Sequence, residues 1–586
     1  VNWNSDAAMK AMVRWPLKIV LGFLCALGPL ASPVFSKDLY VAPSGSDVVD
    51  YTNNSITSPW ATPFKAWAEA RDGDTVYFRG GTYMLAATID TRNMGHHGSA
   101  LSPIIFTSYP GEVATIDCAQ VWVAFGIQKN HNTIRNLCFI NYAVCFSIGY
   151  QEGGDHTEIH HCSGTANRQG GADNVGFVVS RNRESHIRVQ NNRIIGPGRD
   201  LNPNTAGVLV FGCRQLKILN NEFSDLPMGI FYKHPNLVAA QAETDIEFAY
   251  NYFTACGNAI PTAACYAHIH DNISGVGGGS ISSGLDGGMP EGPSFGDYCL
   301  IEHNTIHASP LLVEGSPGIG FSYSERGYDA AGQPFDPLRG ATHNQIQSNI
   351  IMANHRAHAY GPPQDINGIP IVNYDYANSY DYNMYHNRSY TNGIGHPANY
   401  AIAVEDGVSY TTLAAWRAKN GGDQHSIAAN PVFVGGEAPD TIAGFALDTH
   451  SPGKNAGSDG KDMGADVSKV GIQVMTSLTL TSPNGGETWR RGETRQITWN
   501  MAGAYDHTPL RLELVSGDTV LGTIAMDVDA AAGSFTWTVG RLADGSFHTG
   551  PNLKIRIRMA DGAMAYARVG AYGYTPLQTK PKRGEK

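Results

Sequence analysis

A chain of 586 residues has room for one very large repeat domain and a second domain beside it. Its 67 Gly and 16% charged residues suit a turn-rich, extracellular all-β protein better than a helical one. The formal net charge of -11 argues against a general nucleic-acid binder, which would carry a basic surface; an acidic polysaccharide would need a local basic patch or a bridging cation.

Lys10, Arg14 and Lys18 precede the apolar run Ile19 to Leu30, and small residues follow at Ala31, Ser32 and Ser36. This is the order of a secretory signal peptide, over residues 1–36. The run falls short of the roughly 20 residues of a membrane span, and no second span is found. DLYVAPSGSD, Asp38 to Asp47, predicts a strand and a turn. Pro63 to Arg71 predicts a short helix with Phe64, Trp67 and Ala68 on its apolar face, and DGDTVYFRGGTY follows as turn and strand. Helix, turn and strand in this order can cover the open apolar end of a stack of coils.

From Val123 to Ile351 a short pattern recurs: an apolar strand, an Asn, another apolar pair. It is centred on Asn192, Asn221, Asn251, Asn272, Asn304 and Asn349, at spacings of 29, 30, 21, 32 and 45 residues. Strands of about 4 to 5 residues with such a period predict a solenoid, because one coil cannot bury its apolar face alone and stacked coils can. Asn suits the bend between strands, since it tolerates left-handed backbone, and in a stack its amide can bond the next Asn. Eight Cys follow the leader, all between Cys118 and Cys299. No spacing among them suggests zinc or redox chemistry; stacked core thiols are expected, with room for one or two bridges.

Outward side chains of stacked strands form a flat ladder, and a groove beside it can hold an extended polymer. Two insertions stand out: Gly284 to Tyr298, and about Ala308 to Ala341 with Glu314, Tyr323, Glu325 and Arg326. In GIFYKHP, Gly229 to Pro235, an inward Ile230 would turn Lys233 out over the sheet. Lys is rarely buried without a partner. Lys233 and His234 are therefore the candidate catalytic residues, and Arg181, Tyr323 and Arg326 the candidate substrate-binding ones. Asp173, Asp225, Asp271 and Asp286 are the acids available for a calcium ion, although no tight cluster of several Asp occurs in one segment. His268 and His270 lie two apart on a strand and face the same way, but a metal site needs three convergent ligands.

The cap motif and the rung spacing resemble the right-handed parallel β-helix of the pectate-lyase-like superfamily, over about residues 38 to 466. The resemblance implies a secreted enzyme on an extended, acidic polysaccharide, without nucleic-acid partners or a stable membrane span, and monomeric. As a lyase it would cleave a uronate polymer by β-elimination, with a Lys or Arg base and calcium-bound carboxylates; Lys233 could take the base role. A glycoside hydrolase would instead need two carboxyl groups about 5 to 9.5 Å apart, such as Asp173 with Asp286 or Glu314 with Glu325. A third class is a non-catalytic carbohydrate-binding or cell-surface β-helix.

Tyr374 to Tyr385 could set aromatic rings beside the groove, and Tyr410 to Lys419 reads as a short helix. The solenoid is expected to span 37–470, with a linker at 471–477. Alternating strands split by a Pro-Asn-Gly-Gly turn then predict a small β-sandwich over 478–573, with Trp489, Trp499 and Trp537 in its core and a disordered tail at 574–586. Its opening, LTLTSPNGGETWRRGETRQITWN, resembles a Ser/Thr-rich-type immunoglobulin-like module of secreted bacterial enzymes. The whole is expected to be a secreted, periplasmic or cell-surface bacterial protein.

Overall fold

The computed structural model describes residues 37–559 apart from 101, 150–152, 168–174, 181–185, 203, 234–244, 276–278, 284–295, 308–317, 322–342, 354–355, 361–376, 388–400, 406–407, 474–476, 485–486, 488, 503–508, 517–518, 549 and 551–552. The expected leader lies outside them. Three long sheets, each of twelve described strands, run the length of a right-handed parallel β-helix. Each coil visits sheet 1, turns a tight corner into sheet 2, continues to sheet 3 and returns to sheet 1 of the next coil. One such coil is Ile187–Gln190, Arg193–Ile195 and Thr205–Val210.

Alternation explains the core. On sheet 1, Ile134, Ile159, Val189, Ile218, Phe248 and Ile269 stand in register in consecutive coils, each 2% exposed or less. Burial of each such side chain contributes about 1.5–3 kcal/mol. The N-terminal end of this core is closed by the helix Pro63–Glu69. Thr62 caps it by accepting the Lys65 N–H at 3.2 Å, Pro63 starts it, and the Trp67 ring lies flat on Phe106 at 3.7 Å. The helix Leu413–Asn420, capped by Thr412 and ended by left-handed Gly421, sets Trp416 against Tyr380 and Tyr410 at the other end.

The corner between sheets 1 and 2 holds the asparagine ladder. Asn192 donates both its backbone N–H and its side-chain amide to Asn221 Oδ1, each at 3.0 Å, and its amide also donates to the Ile159 carbonyl at 2.9 Å. The step repeats through Asn251, Asn272, Asn304 and Asn349 to Asn383, which the sequence pattern had not singled out. It ends where the Asn383 N–H donates to Ser426 Oγ. The left-handed residue of the bend is not the ladder Asn. It is the residue before it: Asn191, Asn220, Tyr250, Asp271, His303, Ser348 and Tyr382 have φ between 50° and 59°. This division of labour reverses the chain at one position and leaves the Asn amide inside the corner at the next.

Beyond Ala428 the chain turns back along the solenoid. Phe433, Phe445, Leu447, Met463 and Val470 cover Ile273, Ile350, Met352 and Met384 on the outer face of sheet 2. The returning strap then runs past the ladder corner: the Gly464 N–H donates to the Ser348 carbonyl, Asp466 N–H to Asp271 Oδ1, Gly471 N–H to the Tyr250 carbonyl and Gln473 N–H to Asn191 Oδ1. Residues 471–473, expected in the linker, are thus docked on the coils.

Two three-stranded antiparallel sheets follow, within residues 477–559. Trp489, Trp499 and Trp537 lie in the core between them, each 5% exposed or less. Among the described residues the eight cysteines form no disulfide. Burial pushes Cys162 and Cys256 up to about 12, which suits core thiols rather than nucleophiles.

Candidate functional site

Lys233 lies one residue past the sheet 3 strand Met228–Tyr232 and extends its pairing by donating its N–H to the Val210 carbonyl at 2.8 Å. Ile230 and Tyr232 point into the core, and Phe231 points out. Lys233 also points out, 8% exposed, with its ammonium 5.1 Å from the Phe231 ring centre and 5.5 Å from that of Phe211.

The floor beside Lys233 is apolar. Val179, Leu209 and Phe231 stand in register on the outer face of sheet 3, and Val144, Val175 and Ala206 join the same cluster. Val179, Leu209 and Ala206 are at most 1% exposed, so these strands are buried on both faces. An unbroken apolar run such as VGFVVS carries this signal in the sequence.

Arg181, His234, Tyr323, Arg326, Asp173 and Asp286 lie outside the described residues. In chain order, Arg181, Asp286 and Tyr323 follow within about three residues the sheet 3 strands ending at Ser180, Ser283 and Phe321, and His234 follows Lys233.

The two described members of the expected calcium set do not come together. Asp225 is the left-handed residue of a corner between sheets 2 and 3. Asp271 belongs to the corner between sheets 1 and 2, where one oxygen accepts the Asp466 N–H at 2.8 Å and the other meets His270 Nδ1 at 3.0 Å. Its carboxylate therefore anchors the strap. Among the described residues no group of three or more His, Cys, Asp or Glu could hold a metal ion.

His268 and His270 do share a face, stacked at 3.9 Å on the outside of sheet 1. They belong to a row of charges. Lys217 pairs with Asp245 and Glu247, Glu247 Oε1 lies 3.1 Å from His270 Nε2, and Glu302 bridges His268 and Gln347. Burial opposes the charge on His270, yet its bonds to Asp271 and Glu247 raise it to about 9. Burial likewise opposes ionised Glu247, but His270 and Lys217 hold it at about 2; His268 first, then Gln347, brings Glu302 to about 2 against its burial. His303 turns away toward Asp459 of the strap, at 3.5 Å. Tyr380 and Tyr385, expected beside the groove, are 5% and 1% exposed and pack in the core, because they fall on inward positions of their strands.

Residues 39–195 match the family described as Pel9A-like, right handed beta helix region. At superfamily level the solenoid is pectate-lyase-like. Lys233 lies beyond the matched coils. The chain is 36% identical over 84 residues to pectate lyase PEL9 of Emericella nidulans, a stretch of 14% of this chain, and it spans only 19% of that relative's length. Among solved structures, pectate lyase Pel9A is similar at 14% identity, covering 73% of this chain and 96% of its own, with a TM-score of 0.37. XylC in complex with xylose is 11% identical, covering 60% and 83%, with a TM-score of 0.37. A rhamnogalacturonan lyase is 12% identical, covering 64% and 90%, with a TM-score of 0.25. No described helix is long and apolar enough to cross a membrane.

Proposed function

We propose that this chain cleaves a uronate-containing polysaccharide by β-elimination, with Lys233 as the base. The observation that carries the reading is the placement of Lys233: outward on sheet 3, 8% exposed, at the margin of an apolar face and between two aromatic rings. The match of the N-terminal coils to the Pel9A-like region supports it. In its neutral form Lys233 takes the proton from C5 of the uronate. The electrons form the C4–C5 double bond, the C4–oxygen bond breaks, and the departing oxygen takes a proton. Basic side chains meet the substrate carboxylate and the charge that develops beside it, Arg181 and Arg326 being the sequence candidates. We read the protein as exported, and its C-terminal sandwich as an immunoglobulin-like spacer or attachment module.

The test is turnover on a panel of uronate and neutral polysaccharides, with and without added calcium. Unsaturated ends absorbing in the near ultraviolet, lost in Lys233→Ala, are expected. Reducing ends without that absorbance would point to a hydrolase with a carboxyl pair, and no product across the panel to a binding protein.

A further inference from the structure

Three successive coils carry an aromatic ring in one register, two residues ahead of His268, Leu300 and Gln345, at the entry to the sheet 1 strand. They are Tyr266, Tyr298 and His343, all with left-handed backbone, φ of 56°, 58° and 59°. Tyr266 and Tyr298 stack at 5.0 Å with planes 4° apart, and Tyr298 and His343 at 4.8 Å with planes 19° apart. Face-to-face contact needs only about 3.5–4.0 Å between carbons, so each ring is slid sideways over the next and part of its face stays open. Tyr266 is 56% exposed and Tyr298 49%, whereas Tyr232 and Tyr385, in the core of other coils, are buried. Such a stair costs backbone strain at each non-glycine left-handed residue, and it leaves large amphipathic side chains in water.

The nearest outward row, His268, Leu300 and Gln345, sets one apolar side chain between two polar ones. His268, Glu302 and Gln347 run beside the stair, linked at 2.9 and 2.7 Å. The three sheet 1 strands that follow these rings, Ala267–His270, Leu300–Glu302 and Gln345–Gln347, contain Glu302 and no Lys or Arg. Glu302 is held ionised down to about pH 2, by His268 above all and despite its burial. Open ring faces attract the partly positive C–H face of a sugar, because the centre of an aromatic face is negative. Polar side chains alongside can bond hydroxyls, and strands without Lys or Arg offer a polyanion no permanent cation.

We propose that the stair of Tyr266, Tyr298 and His343 is a binding site for an extended neutral glycan, separate from the Lys233 margin. It stands apart from the β-elimination reading and would survive if Lys233 proved inert.

The test is affinity electrophoresis of the full chain in gels containing linear xylan, mannan or mixed-linkage glucan, with polygalacturonate as the charged contrast. Retardation by at least one neutral glycan is expected. It should weaken about tenfold or more in Tyr266→Ala/Tyr298→Ala and stay in Tyr266→Phe/Tyr298→Phe. A second double variant, Tyr266→Asn/Tyr298→Asn, removes the rings while keeping residues that tolerate the left-handed backbone, and melting curves of each variant check the fold. Three outcomes overturn the proposal: no neutral glycan retards the native protein, the ring-less folded variants are retarded equally, or polygalacturonate alone is retarded in a Tyr-dependent way. Turnover by the ring-less variants on short soluble uronate substrates reads the Lys233 chemistry independently.

Discussion

Asn251 Oδ1 accepts two hydrogen bonds from Asn221, one from its backbone N–H at 2.9 Å and one from its side-chain amide at 3.1 Å. Both residues are fully buried. Asn251→Ala would strand those two donors and the Ile218 carbonyl, which accepts the Asn251 amide at 2.8 Å. At about 1–3 kcal/mol for each buried unsatisfied group, a loss of at least about 3 kcal/mol is expected. Denaturant unfolding checks it; a loss under about 1 kcal/mol would show that the ladder only fills space.

For Lys233, the expected result is a separation of charge from packing. Lys233→Ala abolishes formation of unsaturated product, and Lys233→Arg does not restore it at neutral pH, because a guanidinium does not give up its proton there. Phe231→Ala keeps the lysine but opens its surroundings, so the pH–rate profile shifts. Retained activity in folded Lys233→Ala would remove this residue from the mechanism.

The charge row on sheet 1 predicts a pH window of stability. His270 is raised from 6.5 to about 9, so its contribution is complete below 6.5 and fades as pH rises through 9. Glu247 and Glu302 are lowered from 4.5 to about 2, so theirs is complete above 4.5 and fades as pH falls toward 2. Melting temperature should therefore be highest between 4.5 and 6.5 as far as this row decides it. His270→Gln should flatten the decline between pH 6.5 and 9; an unchanged slope would assign the decline to other groups.

A chain ending at Gln473 should keep the solenoid and its turnover on a soluble substrate. One ending at Ala465 loses the buried Val470 side chain, the N–H bonds of residues 466–473 to Asp271, Tyr250 and Asn191, and the Lys469 carbonyl that accepts the Asn220 amide. Its loss is expected to be at least about 2 kcal/mol, from one buried aliphatic side chain and several hydrogen bonds. Equal melting of the two truncations would show that the strap's last turn adds nothing.

The ladder was legible because each Asn sits between a sheet 1 strand and a short apolar pair, a local pattern of five or six residues. Asn383 escaped because its surroundings, SYDYNMYHN, read first as a run of aromatics. The left-handed role was assigned one residue late, since Tyr250, His303 and Ser348 carry no compositional mark of a bend. Lys233 could be placed because strand alternation decides which way a side chain points. That Asp225 and Asp271 occupy different corners could not be read, as the corner each residue occupies depends on where all three strands of a coil end. The stair of Tyr266 and Tyr298 had a faint signal, an aromatic at the entry to the sheet 1 strand in successive coils.

The coil between Asn304 and Asn349 spans 45 residues and that between Asn251 and Asn272 spans 21, yet their ladder bonds are alike: 2.9 and 3.1 Å in one, 3.0 and 3.0 Å in the other. The core does not register how long a coil is. Added sequence that leaves from the end of a sheet 3 strand and rejoins at the next sheet 1 strand shifts no rung, so this scaffold can lengthen or exchange one such segment without renegotiating the others, as a rack accepts drawers of different depth.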